Sequence, residues 1–275
     1  MKKLLFLLCL LSWSALNAQK TINRPPFIAK ATETIEIAAV HLSDTATVID
    51  VDAKFTPKYW IRIAPATCLV ADNGERYQVR QGVGIELGQE FWMPESGEAT
   101  FSLIFPPLPP SVKSFDFVEG EGERDFNLFG ISLTGKLPKL QLPKGLEKAG
   151  KMTAVALPTP EIKEGTAIIS GRILDYKPSF RMKAELHSAD FLSPYGQKNT
   201  ELELDEVGNF HTEISVSHPS VAYLSVGGSV VSFLLSPGGE TKVTVNLREM
   251  TRASSRLQKD TKAEGKKVYF EGLNA

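Results

Sequence analysis

Past residue 18 the chain has one cysteine, four histidines and no apolar run long enough to span a bilayer. Cys9 lies in the leading apolar segment, so Cys68 is the single thiol of the expected mature chain. One thiol cannot close an internal disulfide or run two-thiol exchange unaided. His41, His187, His211 and His218 form no HxH or HExxH pair, so a zinc site would need ligands from distant strands. No GxSxG elbow, P-loop or dinucleotide glycine motif stands between a strand and a helix. Charge of one sign is not in excess either. Without Lys2 and Lys3 the 31 basic residues fall to 29 against 32 acidic ones, a net charge near −3. That balance lacks the concentrated basic face nucleic-acid binding requires. No catalytic residue, cofactor or metal site is assigned, and the reading is non-enzymatic.

The N-terminus, MKKLLFLLCLLSWSALNAQK, reads as a secretory signal over 1–18. Lys2 and Lys3 form a basic start, Leu4 to Trp13 an apolar run too short to cross a membrane, and small residues lead to Ala18. Cys9 has no small-residue lipobox before it, so lipidation is not the favoured reading. The expectation is export to the periplasm or outer cell envelope, without a membrane span.

From Glu33 to Leu133 the dominant period is two. In TATVIDVDAKF, Thr47, Ile49, Val51, Ala53 and Phe55 face one way, while Val48, Asp50, Asp52 and Lys54 face the other. Asp72-Asn73-Gly74 signals a hairpin. ATFSLIF aligns Phe101, Leu103 and Phe105, and SFDFVEG repeats the device with Phe115 and Phe117. These strands predict a β-sandwich over 19–133. Within it, Phe91 and Trp92 precede a Pro94-Glu95-Ser96-Gly97 turn. With Tyr59 and Trp60 they form the candidate binding surface, an aromatic platform for a sugar or peptide. Aromatics in small sandwiches more often fill or seal the core, so structural closure is the favoured reading of this cluster. Pro106 to Pro110 cannot donate to a ladder and should end a strand.

Residues 134–164 change character. Lys136, Lys139, Lys144, Lys148 and Lys151 face Glu147, and Pro138, Pro143, Pro158 and Pro160 punctuate the stretch, which reads as an extended linker. A second sandwich is expected over 165–248. Met182, Ala184 and Leu186 alternate in RMKAELHS, and TELELDEVGNFHTEISV reads as a hairpin around Asp205 to Asn209. VAYLSVGGSVVSFLL reads as a tighter hairpin around Gly227-Gly228. Residues 249–275 are charged, lack the apolar face of a self-sufficient helix, and read as a connector. The fold class is therefore all-β: two immunoglobulin-like β-sandwich domains joined by a Pro/Lys-rich linker after a cleaved signal peptide.

Other chemistry finds weaker support. Cys68, in ATCLVADNGE, reads as a small buried hydrophobe; a mixed-disulfide role needs a cation or helix N-terminus beside it, and the local sequence shows neither. Asp50 and Asp52 share a strand face but read as surface rather than a calcium edge. DEVGNF lacks the ligand spacing of an EF-hand and reads as a turn. Glu119, Glu121 and Glu123 of EGEGE resemble paired glycosidase acids only in composition; a Gly-interleaved acidic turn explains them.

Two stretches carry a resemblance. LSDTATVIDVDAKFTPKYWIRI, GVGIELGQEFWMPESGEATFSLIFPPLP and SFDFVEGEGERDFNLFGI resemble the N-terminal β-domain of exported Bacteroidetes proteins related to TlpA-type thioredoxin-fold disulfide reductases. ISGRILDY, DEVGNFHTEISVSHPSVAYLSV and FLLSPGGETKVTVNL look like the sandwich preceding the thioredoxin domain there, most recognisably at Gly208-Asn209-Phe210, His218-Pro219 and Ser236-Pro237-Gly238-Gly239. The resemblance spans about 21–250. This chain has no CxxC, so no catalytic residue carries over. What it implies is an accessory module, or a relative truncated before the redox domain, of a TlpA-like thiol–disulfide oxidoreductase, binding an envelope protein partner. The alternative is a cell-surface glycan-binding or adhesin-like protein.

Overall fold

The structure, a computed structural model, describes residues 20–122, 125–146, 161–190, 194–258, 260–263 and 265–272. The expected signal peptide, Glu123 and residues 147–160 of the Pro/Lys-rich stretch lie outside the described residues.

The described chain is mostly strand. Its N-terminal half runs β1 (Lys20–Asn23), β2 (Ala29–Lys30), β3 (Ile35–Leu42), β4 (Thr47–Lys54), β5 (Trp60–Ile61) and β6 (Cys68–Ala71). It continues through β7 (Arg76–Gln78), β8 (Gln81–Val83), β9 (Phe91–Trp92), β10 (Glu98–Phe105), β11 (Ser114–Val118) and β12 (Asn127–Ser132). Two five-stranded sheets form, in the orders β1-β3-β4-β10-β8 and β2-β12-β11-β6-β7, and β5 pairs β9 in a separate ribbon. The alternation works as the sequence predicts. Thr47, Ile49, Val51 and Ala53 are buried while Val48, Asp50 and Asp52 are only partly covered. Phe105 from one sheet meets Phe117 from the other edge-on, centroids 6.4 Å apart, in one shared core. The alternation lapses where β4 ends, and Phe55, expected inward, is 39% exposed. The proline run ends β10 but packs back, with Leu108 buried and its N–H donating to Thr47 Oγ1 at 3.0 Å.

The C-terminal half contains β13 (Gly165–Leu174), β14 (Ala184–Ala189), β15 (Gln197–Glu201), β16 (Asn209–Val216), β17 (Ser220–Val226), β18 (Ser229–Leu235) and β19 (Glu240–Asn246). Helix α1 (Leu247–Ser254) and β20 (Val268–Gly272) follow. The sheets are β16-β13-β19-β20 and β15-β14-β17-β18. Gly227 and Gly228, at φ 54° and 81°, make the β17–β18 hairpin, as a primed turn requires.

Two local readings need correction. The turn at Asp205 to Asn209 is present, but it is not a hairpin: β15 pairs β14, whereas β16 pairs β13 in the other sheet. Leu202 N–H donates to Ala184 O, holding the incoming chain on the β14 side. Turn chemistry fixes the bend, not the partner of the strands it joins. Second, the described residues after 248 are not a free connector. Asn246 caps α1 by accepting from Glu249 N–H, and β20 adds an outer strand beside β19 with Val268 opposite Val245. The residues the helix buries include Arg248 and Glu249, both held in ion pairs, so its inner face is not a purely apolar stripe.

The halves are joined by contact as well as by chain. Ile28, Ala29 and Phe129 of the N-terminal half belong to the hydrophobic cluster of the C-terminal half. Phe129 stacks on Phe180, centroids 4.6 Å apart and planes 22° apart. Beside this apolar seam, the buried Lys30 ammonium donates to buried Glu36 at 3.0 Å. Among the described residues no helix is long and apolar enough to cross a membrane.

Candidate functional site

The aromatic cluster forms on the two-stranded ribbon. After β4 the chain turns through Thr56-Pro57-Lys58, with Tyr59 N–H donating to Thr56 O at 3.2 Å. Lys58 takes the left-handed conformation at φ 62°, uncommon for a side chain with a Cβ. β5 then pairs β9, placing Trp60 directly opposite Trp92 and Ile61 opposite Phe91. Met93 N–H donates to Tyr59 O at 2.8 Å. Directly opposed residues of an antiparallel pair point to the same face with Cβ atoms about 5 Å apart, so the two indoles emerge side by side.

The ribbon has an inside and an outside. Ile61 and Met93 are buried, and half-buried Phe91 lies against the core with its ring 6.5 Å from that of Phe101. Trp60, Trp92 and Tyr59 are 42%, 61% and 62% exposed. Of the four predicted residues, then, Phe91 does seal the core, but the closure reading fails for the other three. Two surface ion pairs stand beside them: Lys58 with Glu95 at 3.0 Å and Lys54 with Glu98 at 2.7 Å. The sequence singles out these residues by type but does not show the pairing of Trp60 with Trp92. The usable signal was that each lies next to another aromatic and a proline turn.

The remaining candidates scatter. Asp50 accepts from His41 Nε2 and Ser102 Oγ, and no group of potential metal ligands occurs among the described residues. Glu119 turns inward, its carboxylate accepting from Ala64 and Phe126 N–H; burial pushes its carboxyl up. Glu121 is held by Arg181 at 2.7 Å, so these two glutamates do not form an acid pair facing one substrate. Asp205 accepts from Val207 and Asn209 N–H, as a turn residue does; the Asn209 bonds lower its carboxyl. Cys68 is buried but outside both hydrophobic clusters, and Arg76 Nη2 donates to its sulfur at 3.0 Å, a cation the local sequence did not reveal.

Comparison with known protein families, with curated proteins and with solved structures finds no match to this chain. Its chemistry has to be read from its own surface.

Proposed function

We propose that the chain is an exported, non-enzymatic binding module of two immunoglobulin-like β-sandwiches whose ligand surface is the Trp60/Trp92 ribbon, and whose ligand is a glycan. The observation that carries this reading is the outward display of Trp60, Trp92 and Tyr59 on a ribbon outside both five-stranded sheets. Scattered surface apolar residues need no explanation, but contiguous large aromatics mark interaction sites. A pyranose ring offers a face of C–H bonds that stacks on an aromatic face and sheds water from both. The rim ion pairs at Lys58 and Lys54 supply donors and acceptors for the sugar hydroxyls.

In a chain processed after Ala18, Trp60 and Trp92 are the only tryptophans, so intrinsic emission reports on the ribbon alone. A glycan array should yield binders that shift this emission. Trp92→Ala should weaken them by about ten-fold or more, equivalent to ~1.4 kcal/mol, with the melting temperature unchanged. An empty array, or affinity indifferent to Trp92, would overturn the reading.

The second reading makes the chain the accessory region of a TlpA-like thiol–disulfide oxidoreductase. It is supported by the sequence stretches quoted above, and the ribbon would then meet a protein. The same experiment separates the two: an empty array together with Trp92-dependent binding of a thioredoxin-fold protein favours the second.

A further inference from the structure

Another surface shares no residue with the ribbon. Residues 136–142 run along one side of a groove whose other side includes α1, and the groove measures about 1130 Å³. Five cations line it, Lys136, Lys139, Arg248, Arg252 and Lys262, against one carboxylate, Glu249. Two of the five are engaged. Arg248 bonds Asp175 and the carbonyl of Pro138, and Arg252 donates to Glu249 at 2.7 Å. Lys136, Lys139 and Lys262 are exposed and have no acidic partner among the described residues. Half-buried Leu137, Leu140 and Leu142 add apolar surface between the charges.

The backbone here is also unsatisfied by its neighbours. Residues 139–142 belong to no strand, and their N–H groups make no backbone hydrogen bond among the described residues. An exposed, unpaired backbone edge is a template on which another segment can add as a strand, with side-chain pockets giving selectivity.

We propose that this groove docks an extended acidic segment of a partner protein, its backbone pairing along 139–142, its carboxylates meeting Lys136, Lys139 and Lys262, and its apolar side chains resting on the leucines. Charge complementarity selects this occupant: unneutralised lysines disfavour a basic partner and draw an acidic one in at a rate that salt suppresses.

The test titrates the purified chain with a fluorescein-labelled peptide alternating glutamate and leucine, read by anisotropy. The same peptide with lysine in place of glutamate serves as control. The acidic peptide should bind, the lysine version should not, and added salt should weaken binding. Lys136→Glu with Lys139→Glu should weaken it about ten-fold or more; Lys136→Gln with Lys139→Gln provides a milder pair if the reversal perturbs folding. Hydrogen exchange should show peptide-induced protection at the amides of 139–142. Equal binding of both peptides, indifference to both double substitutions, or no protection at those amides overturns the proposal. Lysine-dependent binding of phosphatidylglycerol vesicles without peptide binding would overturn it too and assign the groove to a lipid surface.

Discussion

Glu36 is fully buried, and its carboxylate accepts from the Lys30 ammonium at 3.0 Å. Burial alone would push the carboxyl up. Hydrogen bonds from Arg256 N–H and Ser255 Oγ, together with the Lys30 ammonium, outweigh burial and hold it below the usual carboxylate range. A carboxyl lowered on folding contributes stability that is fully present above its unfolded value, about 4.3, and is lost as pH falls through the folded one. Asp116 and Glu119 act oppositely, since burial raises both, so lowering the pH first relieves their cost. Glu36→Ala leaves buried Lys30 with exposed Glu33 as its one acidic partner, beside the Ser254 carbonyl, and should cost about 3–5 kcal/mol. Denaturant unfolding at a series of pH values should show that deficit constant at neutral pH and shrinking only below the ordinary glutamate range. Glu36 stands between Ile35 and Ile37 on β3, so the alternation of a strand turns it to the face opposite theirs. That outward face becomes interior only because residues 255–257 fold over it.

The ribbon depends on a glycine at its base. Gly97 sits at φ 67°, and a Cβ added there would fall 2.5 Å from Phe55 O, whose own N–H donates to Gly97 O at 2.9 Å. Gly97→Ala therefore strains the backbone and displaces the turn that returns β9 into β10, at a cost on the order of 1–3 kcal/mol. The expected signature is a lowered melting temperature with an altered tryptophan emission maximum, because both indoles ride on this ribbon. The Pro94 to Gly97 turn was legible in the sequence, and so was the aromatic character of both arms. Their pairing was not. The arms lie far apart along the chain, and two-residue strands are too short to show a period.

Across the whole chain, the seam at Phe129 and Phe180 ties two β-layered halves together. Removing a buried phenylalanine costs about 3–5 kcal/mol, and here the loss falls on the contact between halves rather than within either core alone. Phe180→Ala should resolve the calorimetric unfolding of the chain from one transition into two, while a single unchanged transition would show that the seam does not couple them. By composition the Pro/Lys-rich stretch reads as the join between the halves. The described contacts place much of that work elsewhere, in Ile28, Ala29, Phe129 and the Glu36 cluster, which the sequence places only within the sandwich expected over 19–133.

Alternation of apolar and polar side chains was enough to specify strands and their inner faces. A strand's period of two is a local property, and Ile49, Leu103 and Phe117 obey it without reference to neighbours. Glycine pairs and Asx turns likewise declared their bends. Pairing decided the rest: β15 joining β14 instead of β16, β20 closing onto β19, Trp60 meeting Trp92, and an outward acid becoming the hub of an interface. Those outcomes depend on which distant surfaces bury each other best, and contact free energy between residues far apart in the chain leaves no periodic trace along it.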